Sequence, residues 1–176
     1  GQDGAKYKSF ETEEEAAKAF EKGYEHYLKT ASSSKAAAGL TPKTPVGKPI
    51  WESLCVDAAC SGNPGNMEYR GVYPPTMQEI FRIGPLKKGT NNIGEFLALV
   101  HGLALLKQKG SSLPIYSDSR NAIGWVKKKK CKTLLERVPE NEPIFDMIER
   151  AEKWLKTNTY TTPILKWETS EWGEIP

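Results

Sequence analysis

Histidine and cysteine are scarce in this chain. His26 and His101 are the two imidazoles in 176 residues, which leaves little material for His-based catalysis or a zinc centre. Cys55, Cys60 and Cys131 are odd in number and lack metal-ligand spacing, which argues against a disulfide scaffold and fits a reducing cytosol. Cys55 and Cys60 read as strand and turn packing. No apolar run approaches the length of a membrane span, and no signal peptide is recognisable. Charge is not lopsided either. With 25 basic and 22 acidic side chains the net charge is +3, so any preference for a polyanion must come from local patches. What is present, 38% hydrophobic and 27% charged residues, suits an ordinary soluble protein with one good core, or one core and a small appendage. The expectation is a cytoplasmic chain with no membrane association and no obligate protein partner.

Three segments are distinguishable. Residues 1–29 form a small module: Lys6 to Phe10 alternates as a short strand, and Thr12-Glu13-Glu14-Glu15 is a capping box. Ala16, Phe20, Tyr24 and Tyr27 or Leu28 then continue one apolar helical stripe. Residues 30–49 carry small residues, three prolines, three lysines and no acid, and read as a flexible linker. Residues 50–176 alternate between strand and helix patterns. Strands are expected at Ile50 to Val56, Met67 to Tyr73, Gln78 to Ile83, Pro114 to Ser117 and Ile164 to Trp167. Helices are expected from Asn91 to near Gly110, through Ile123 and Val126, and from Glu142 to Lys156. The order βββαβααβ predicts an α/β fold with a mixed five-stranded sheet flanked by helices.

The segment from Asp57 to Gly65 organises the rest. A β-leaning run delivers one carboxylate and then a dense turn, Gly62-Asn63-Pro64-Gly65, in which glycine permits positive φ and Asn tolerates left-handed geometry. An isolated Asp there is a surface residue opening a hairpin. Two other acids change that reading. Glu95 lies in the first turn of the first long helix beside apolar Phe96, and Asp118 ends the strand that follows. Functional residues gather at the carboxyl ends of parallel strands, so Asp57 and Asp118 converge if their strands are neighbours. Three converging carboxylates repel one another and raise their own pKa values. Divalent cations resolve the conflict, and hard oxygen ligands with open positions suit Mg²⁺ or Mn²⁺ acting on a phosphodiester.

The motifs Asp57-x-x-x-x-Gly62-Asn63-Pro64-Gly65, Thr90-Asn91-Asn92-x-x-Glu95 and Tyr116-Ser117-Asp118-Ser119 together resemble the signatures of type 1 ribonuclease H. The resemblance runs from about Ile50 to Trp167. It implies an RNase H-like fold and hydrolysis of the RNA strand of an RNA–DNA hybrid, with two metal ions held by Asp57, Glu95 and Asp118. It further implies that Gly62, Asn63, Asn91 and Asn92 contact the hybrid, where amide side chains read 2′-hydroxyls without reading sequence. Turn formation by Asn63 and helix capping by Asn91 or Asn92 coexist with that role. Ser119 either bonds Asp118 or, preferably, caps the next helix. The alternative is a catalytically silent module that binds hybrids or double-stranded RNA, but clustered acids would repel such a ligand.

Two features depart from the family pattern. Many relatives carry a fourth carboxylate, an Asp after the last strand. No Asp follows Lys166 here, and Trp172-Gly173-Glu174-Ile175-Pro176 resembles the stretch that precedes it, so it is expected beyond Pro176. Glu171 and Glu174 read as exposed acids, His101 as a packed or surface residue and Trp125 as core. The Lys- and Trp-rich protrusion of some relatives is replaced by Lys127-Lys128-Lys129-Lys130-Cys131-Lys132, a solvated helix end that also suits phosphates. Residues 4–10 and the helix after them resemble the second half of a hybrid-binding (viroplasmin-like) domain.

Overall fold

A computed structural model describes residues 47–176; the expected module at 1–29 and nearly all of the expected linker at 30–49 lie outside the described residues. Ile50–Thr169 and Glu174–Pro176 make one compact unit. In the other unit, the Trp172 indole Nε1 donates to the Gly47 carbonyl at 2.7 Å.

β1 (Leu54–Cys60), β2 (Gly65–Tyr73) and β3 (Gln78–Gly89) form an antiparallel meander. Then come α1 (Asn91–Gln108), β4 (Ile115–Ser117), α2 (Arg120–Lys128), a 3₁₀ turn (Pro139–Asn141), α3 (Glu142–Thr157), β5 (Ile164–Lys166) and the short α4 (Thr169–Trp172). β4 pairs with β1 and β5 with β4, both in parallel, giving the sheet order β3-β2-β1-β4-β5. The mixed five-stranded sheet and the order βββαβααβ are therefore as read from the periodicity, with a short closing helix added.

α1 is the centre of the core. It packs on β1 and β2 and is covered by α2 and α3. Enclosure on so many sides explains why Ile93, Phe96, Leu97, Leu99, Val100, Leu103 and Leu106 are all buried, more than one stripe supplies. Burying each such side chain is worth about 1.5–3 kcal/mol. Close approach needs small residues at the contact. A Cβ on Gly94 would lie 2.8 Å from the Ala58 Cβ, so α1 rests on β1 almost backbone to backbone.

Two boundaries differ from expectation, each for a physical reason, and a third falls inside the lysine run as expected. β1 starts at Leu54, not Ile50, because its parallel partner begins pairing there (Leu54 with Ile115). Ile50 instead donates its N–H to the Tyr116 hydroxyl at 2.9 Å, and Trp51 lies edge-on to Trp167 at 6.4 Å. β3 continues to Gly89 past the expected end at Ile83. Gly84, at φ 112, and Pro85 shift the register against β2 without ending the strand, which an edge position tolerates. α2 ends at Lys128, and Lys129 caps it in a left-handed conformation (φ 59), with Lys130 N–H donating to the Trp125 carbonyl at 3.0 Å.

Candidate metal centre

Strand register brings the first two acids together. Cys55 of β1 pairs with Tyr116 of β4, and Asp57 and Asp118 each lie two residues beyond that pair. Glu95 comes from α1, at the start of its second turn, carried to β1 by the Gly94–Ala58 contact. Carboxylate oxygens of Asp57, Glu95 and Asp118 all lie within 4.8 Å of one another.

Glu95 is only 2% exposed. Its Oε1 accepts the Ala58 N–H at 3.1 Å, while the buried Oε2 has no hydrogen-bond partner. Burial pushes the Glu95 carboxyl up to about 10, and the adjoining Asp57 carboxyl and the Asp118 charge push the same way. Asp118 is also raised, by burial first and then by Asp57 and Glu174, with Lys166 opposing. Three hard oxygen donors at one point, one of them buried and half unsatisfied, fit a divalent cation.

The acids sit between two clefts. One, of about 470 Å³, is lined by Glu95 and Asp118 with Asn91, Asn92, Ser119, Arg120, Asn121 and Lys166. Asp57 lines the other, of about 190 Å³, with Glu68, Tyr69, Arg70 and Arg82 among its walls. There Arg82 bonds both Glu79 and Glu68 at 2.9 Å, so its charge is already shared.

Of the expected contact residues, Asn91, Asn92 and Ser119 are thus in the cleft with the acids. The capping differs from expectation for the asparagines: Thr90, one residue earlier, caps α1 by accepting from Ile93 N–H at 3.3 Å. That leaves Asn91 and Asn92 exposed at the start of the helix with their amides toward solvent-accessible space. Ser119 caps α2 through Ala122 N–H at 3.1 Å. Gly62 and Asn63 are exposed on the turn after β1 and line neither cleft. Neither they nor Gly65 adopts positive φ. Glycine is needed at Gly65 because a Cβ there would lie 2.6 Å from the Gly62 nitrogen.

Lys166, Arg120 and Asn121 were not anticipated. Lys166 lies on β5 opposite Ser117, one residue before Asp118, so a cation on the next parallel strand was the available signal. Glu174, read as a bystander, is exposed, yet its charge reaches Asp118. Trp125 packs edge-on against Phe96 at 6.3 Å, and His101 stacks on Phe81 with ring centroids 4.0 Å apart.

A family model described as RNase H matches residues 52–164. A Ribonuclease H of Rhodopirellula baltica is 41% identical over 75 residues, which are 42% of this chain and 46% of that protein. One of Chlorobium phaeovibrioides is 34% identical over 106 residues, 54% of this chain and 70% of the relative. The chain spans about half the length of the first of these relatives. The solved RNase H1 of Halobacterium salinarum is 20% identical, with 68% of this chain and 88% of that one covered and a TM-score of 0.40. A match to the family model over well more than half its length places the acids inside the matched region: the chain belongs to the RNase H family.

Proposed function

We propose that this chain is an endonuclease that hydrolyses the RNA strand of RNA–DNA hybrids, leaving 5′-phosphate and 3′-hydroxyl ends. The observation that carries the reading is the half-satisfied carboxylate of Glu95, buried between Asp57 and Asp118 with its Oε2 unpartnered. Asp57, Glu95 and Asp118 would hold two divalent ions, Mg²⁺ or Mn²⁺, which supply Lewis acidity at the attacking and leaving oxygens of an in-line displacement. The remaining work belongs to the chain's own residues. Asn91 and Asn92, exposed at the amino end of α1, offer amides to 2′-hydroxyls in the minor groove. Asn63 and Gly62 would meet the hybrid from the turn after β1. Lys166 steadies the charge of Asp118 and lies in the same cleft, placed for a phosphate. Ser119 contributes by fixing the start of α2 beside Asp118.

Cleavage of a labelled RNA–DNA hybrid in Mg²⁺ or Mn²⁺ tests the proposal. Asp57→Asn is expected to lower the rate by more than about 100-fold, beyond the cost of changing a group that only supports a ligand. A chain extended past Pro176 to supply the fourth carboxylate expected there, which still binds the hybrid and never cuts it in either metal, overturns the nuclease reading and leaves a silent hybrid-binding module.

A further inference from the structure

The segment between α2 and the 3₁₀ turn has no helix or strand, yet it carries Lys130 and Lys132 and does not rest loosely on the protein. Near its start, Cys131 N–H donates to Glu152 Oε2 at 2.9 Å, and Lys130 Nζ lies 3.5 Å from the same carboxylate. Near its end, Arg137 bonds Glu142, bonds Glu149 at 2.8 Å, and lies 5.4 Å over the Phe145 ring. These contacts fasten the segment to α3. One further side chain connects it to something else.

Asn141 is 1% exposed, and both ends of its amide are engaged. Oδ1 accepts the Val138 N–H at 2.9 Å, and Nδ2 donates to the Glu136 carbonyl at 2.8 Å. Those two bonds close the end of the lysine segment. The third leaves it: Nδ2 also donates, at 3.2 Å, to the carbonyl of Lys88, where β3 turns into α1. Lys88 has a left-handed backbone (φ 57), a conformation that is strained for a non-glycine residue and persists only when its surroundings hold it. Gly89 follows, with no space for a side chain: a Cβ there would lie 2.7 Å from the Met67 Cβ and 2.8 Å from the Ile144 Cδ1. Next come the Thr90 cap and then Asn91 and Asn92. The corner is therefore pressed by core packing and held by the buried Asn141 amide at Lys88 and by Cys60 Sγ, which donates to the Gly89 carbonyl at 3.5 Å.

We infer that Asn141 is a positioning residue for nucleic acid: it holds the lysine segment and the Asn91–Asn92 corner at one spacing, so that backbone phosphates and 2′-hydroxyls of a single hybrid are met together. The inference rests on the hybrid reading proposed above. Asn141 touches no substrate in this role; it acts through the carbonyls of Lys88 and Glu136. Both groups that it joins belong to binding rather than to the carboxylate cluster, so its loss falls on affinity more than on turnover.

The experiment compares the chain with Asn141→Ala, Asn141→Asp and, as a core control on α3, the helix that follows Asn141, Ile148→Val, at a temperature where circular dichroism shows each folded. Asp keeps the acceptor for Val138 but sets an oxygen against the Lys88 and Glu136 carbonyls, whereas Ala removes all three bonds without adding that repulsion. Hybrid affinity is read in EDTA across a salt series, and KM and kcat in Mg²⁺. The expected result is a Kd and KM about tenfold higher in both Asn141 variants, with kcat within about twofold. The slope of log K against log salt becomes shallower by about 1, one phosphate contact fewer. Ile148→Val changes Tm and neither affinity nor slope. Unchanged affinity and slope in the Asn141 variants, with a lower Tm alone, overturns the inference and leaves the hybrid reading standing. A wild-type chain that fails to bind the hybrid overturns both.

Discussion

The backbone N–H of Ala58 donates to Glu95 Oε1 at 3.1 Å, while Oε2 of the same buried carboxyl has no partner. β1 thus aims the Glu95 carboxyl with one hydrogen bond and leaves its other oxygen toward Asp57 and Asp118. Glu95→Gln keeps the acceptor for Ala58 and turns the unpartnered oxygen into an amide donor between two carboxylates. The metal-free protein should gain roughly 1–2 kcal/mol of stability, because the raised Glu95 carboxyl must take up a proton on folding and glutamine need not. Hybrid cleavage should vanish in the same variant. Thermal unfolding in EDTA beside a cleavage assay checks both halves, and a variant that is less stable than wild type contradicts the argument from proton uptake.

Metal addition should stabilise the wild-type chain as well, by neutralising the same three carboxyls rather than removing one. A cation that binds only the folded chain stabilises it by about 2.7 kcal/mol at a concentration a hundred times its Kd. Titrating Mg²⁺ into wild type is expected to raise Tm progressively. Asp57→Asn should flatten that response; an equal rise in the variant places the ions elsewhere.

Gly94→Ala sets helix propensity against packing. In an exposed helix the change would favour folding by about 1 kcal/mol. Here the new Cβ meets the Ala58 Cβ at 2.8 Å, and neither atom is the end of a flexible side chain. α1 must move off β1, taking Glu95 with it. Reduced stability together with reduced cleavage is expected, and a stabilised, fully active variant would show that the contact is softer than its geometry.

These cases also show how the sequence could be read and where it could not. Asp57 and Asp118 were legible because each follows an apolar run that names a strand end, and Glu95 because an acid interrupts a helix that is otherwise apolar on that side. Long-range bonds of single side chains leave no such trace. Asn141 looks like any turn residue, and Glu152 occupies the polar side of an amphipathic helix, yet both are buried and hold the lysine segment. Gly84-Pro85 reads as a strand terminator because local preference cannot distinguish a stop from a bulge that the neighbouring strand carries through. Gly65 was recognised as necessary for the wrong reason, since crowding against Gly62 and not a positive φ excludes a side chain.

His101 should make stability depend on pH below neutrality. Its Nδ1 is 3.1 Å from the Tyr69 hydroxyl, its ring lies on Phe81, and the charge of Arg150 reaches Tyr69 from α3. Burial holds the imidazole below its ordinary value of 6.5. A depressed folded value means that the contribution is present above pH 6.5 and is lost as pH falls through the folded value, because the unfolded chain takes up the proton more readily. The raised carboxyls of Glu95 and Asp118 work the other way, favouring low pH, and are common to both proteins compared. His101→Gln retains a partner for Tyr69 and cannot titrate. On going from about pH 7 to about pH 5, the Tm of the variant should therefore rise relative to that of wild type.

The interruption in β3 has a consequence beyond register. Among the described residues the sheet is open, with β3 at one border and β5 at the other. A long flat border strand is a template for recruiting strands from other molecules. β5 offers only three residues, and β3, although twelve residues long, is broken by Gly84 at φ 112 and by Pro85, which has no N–H to give. As far as the described strands go, the sheet that supports the three acids is thereby guarded against self-association along both β3 and β5.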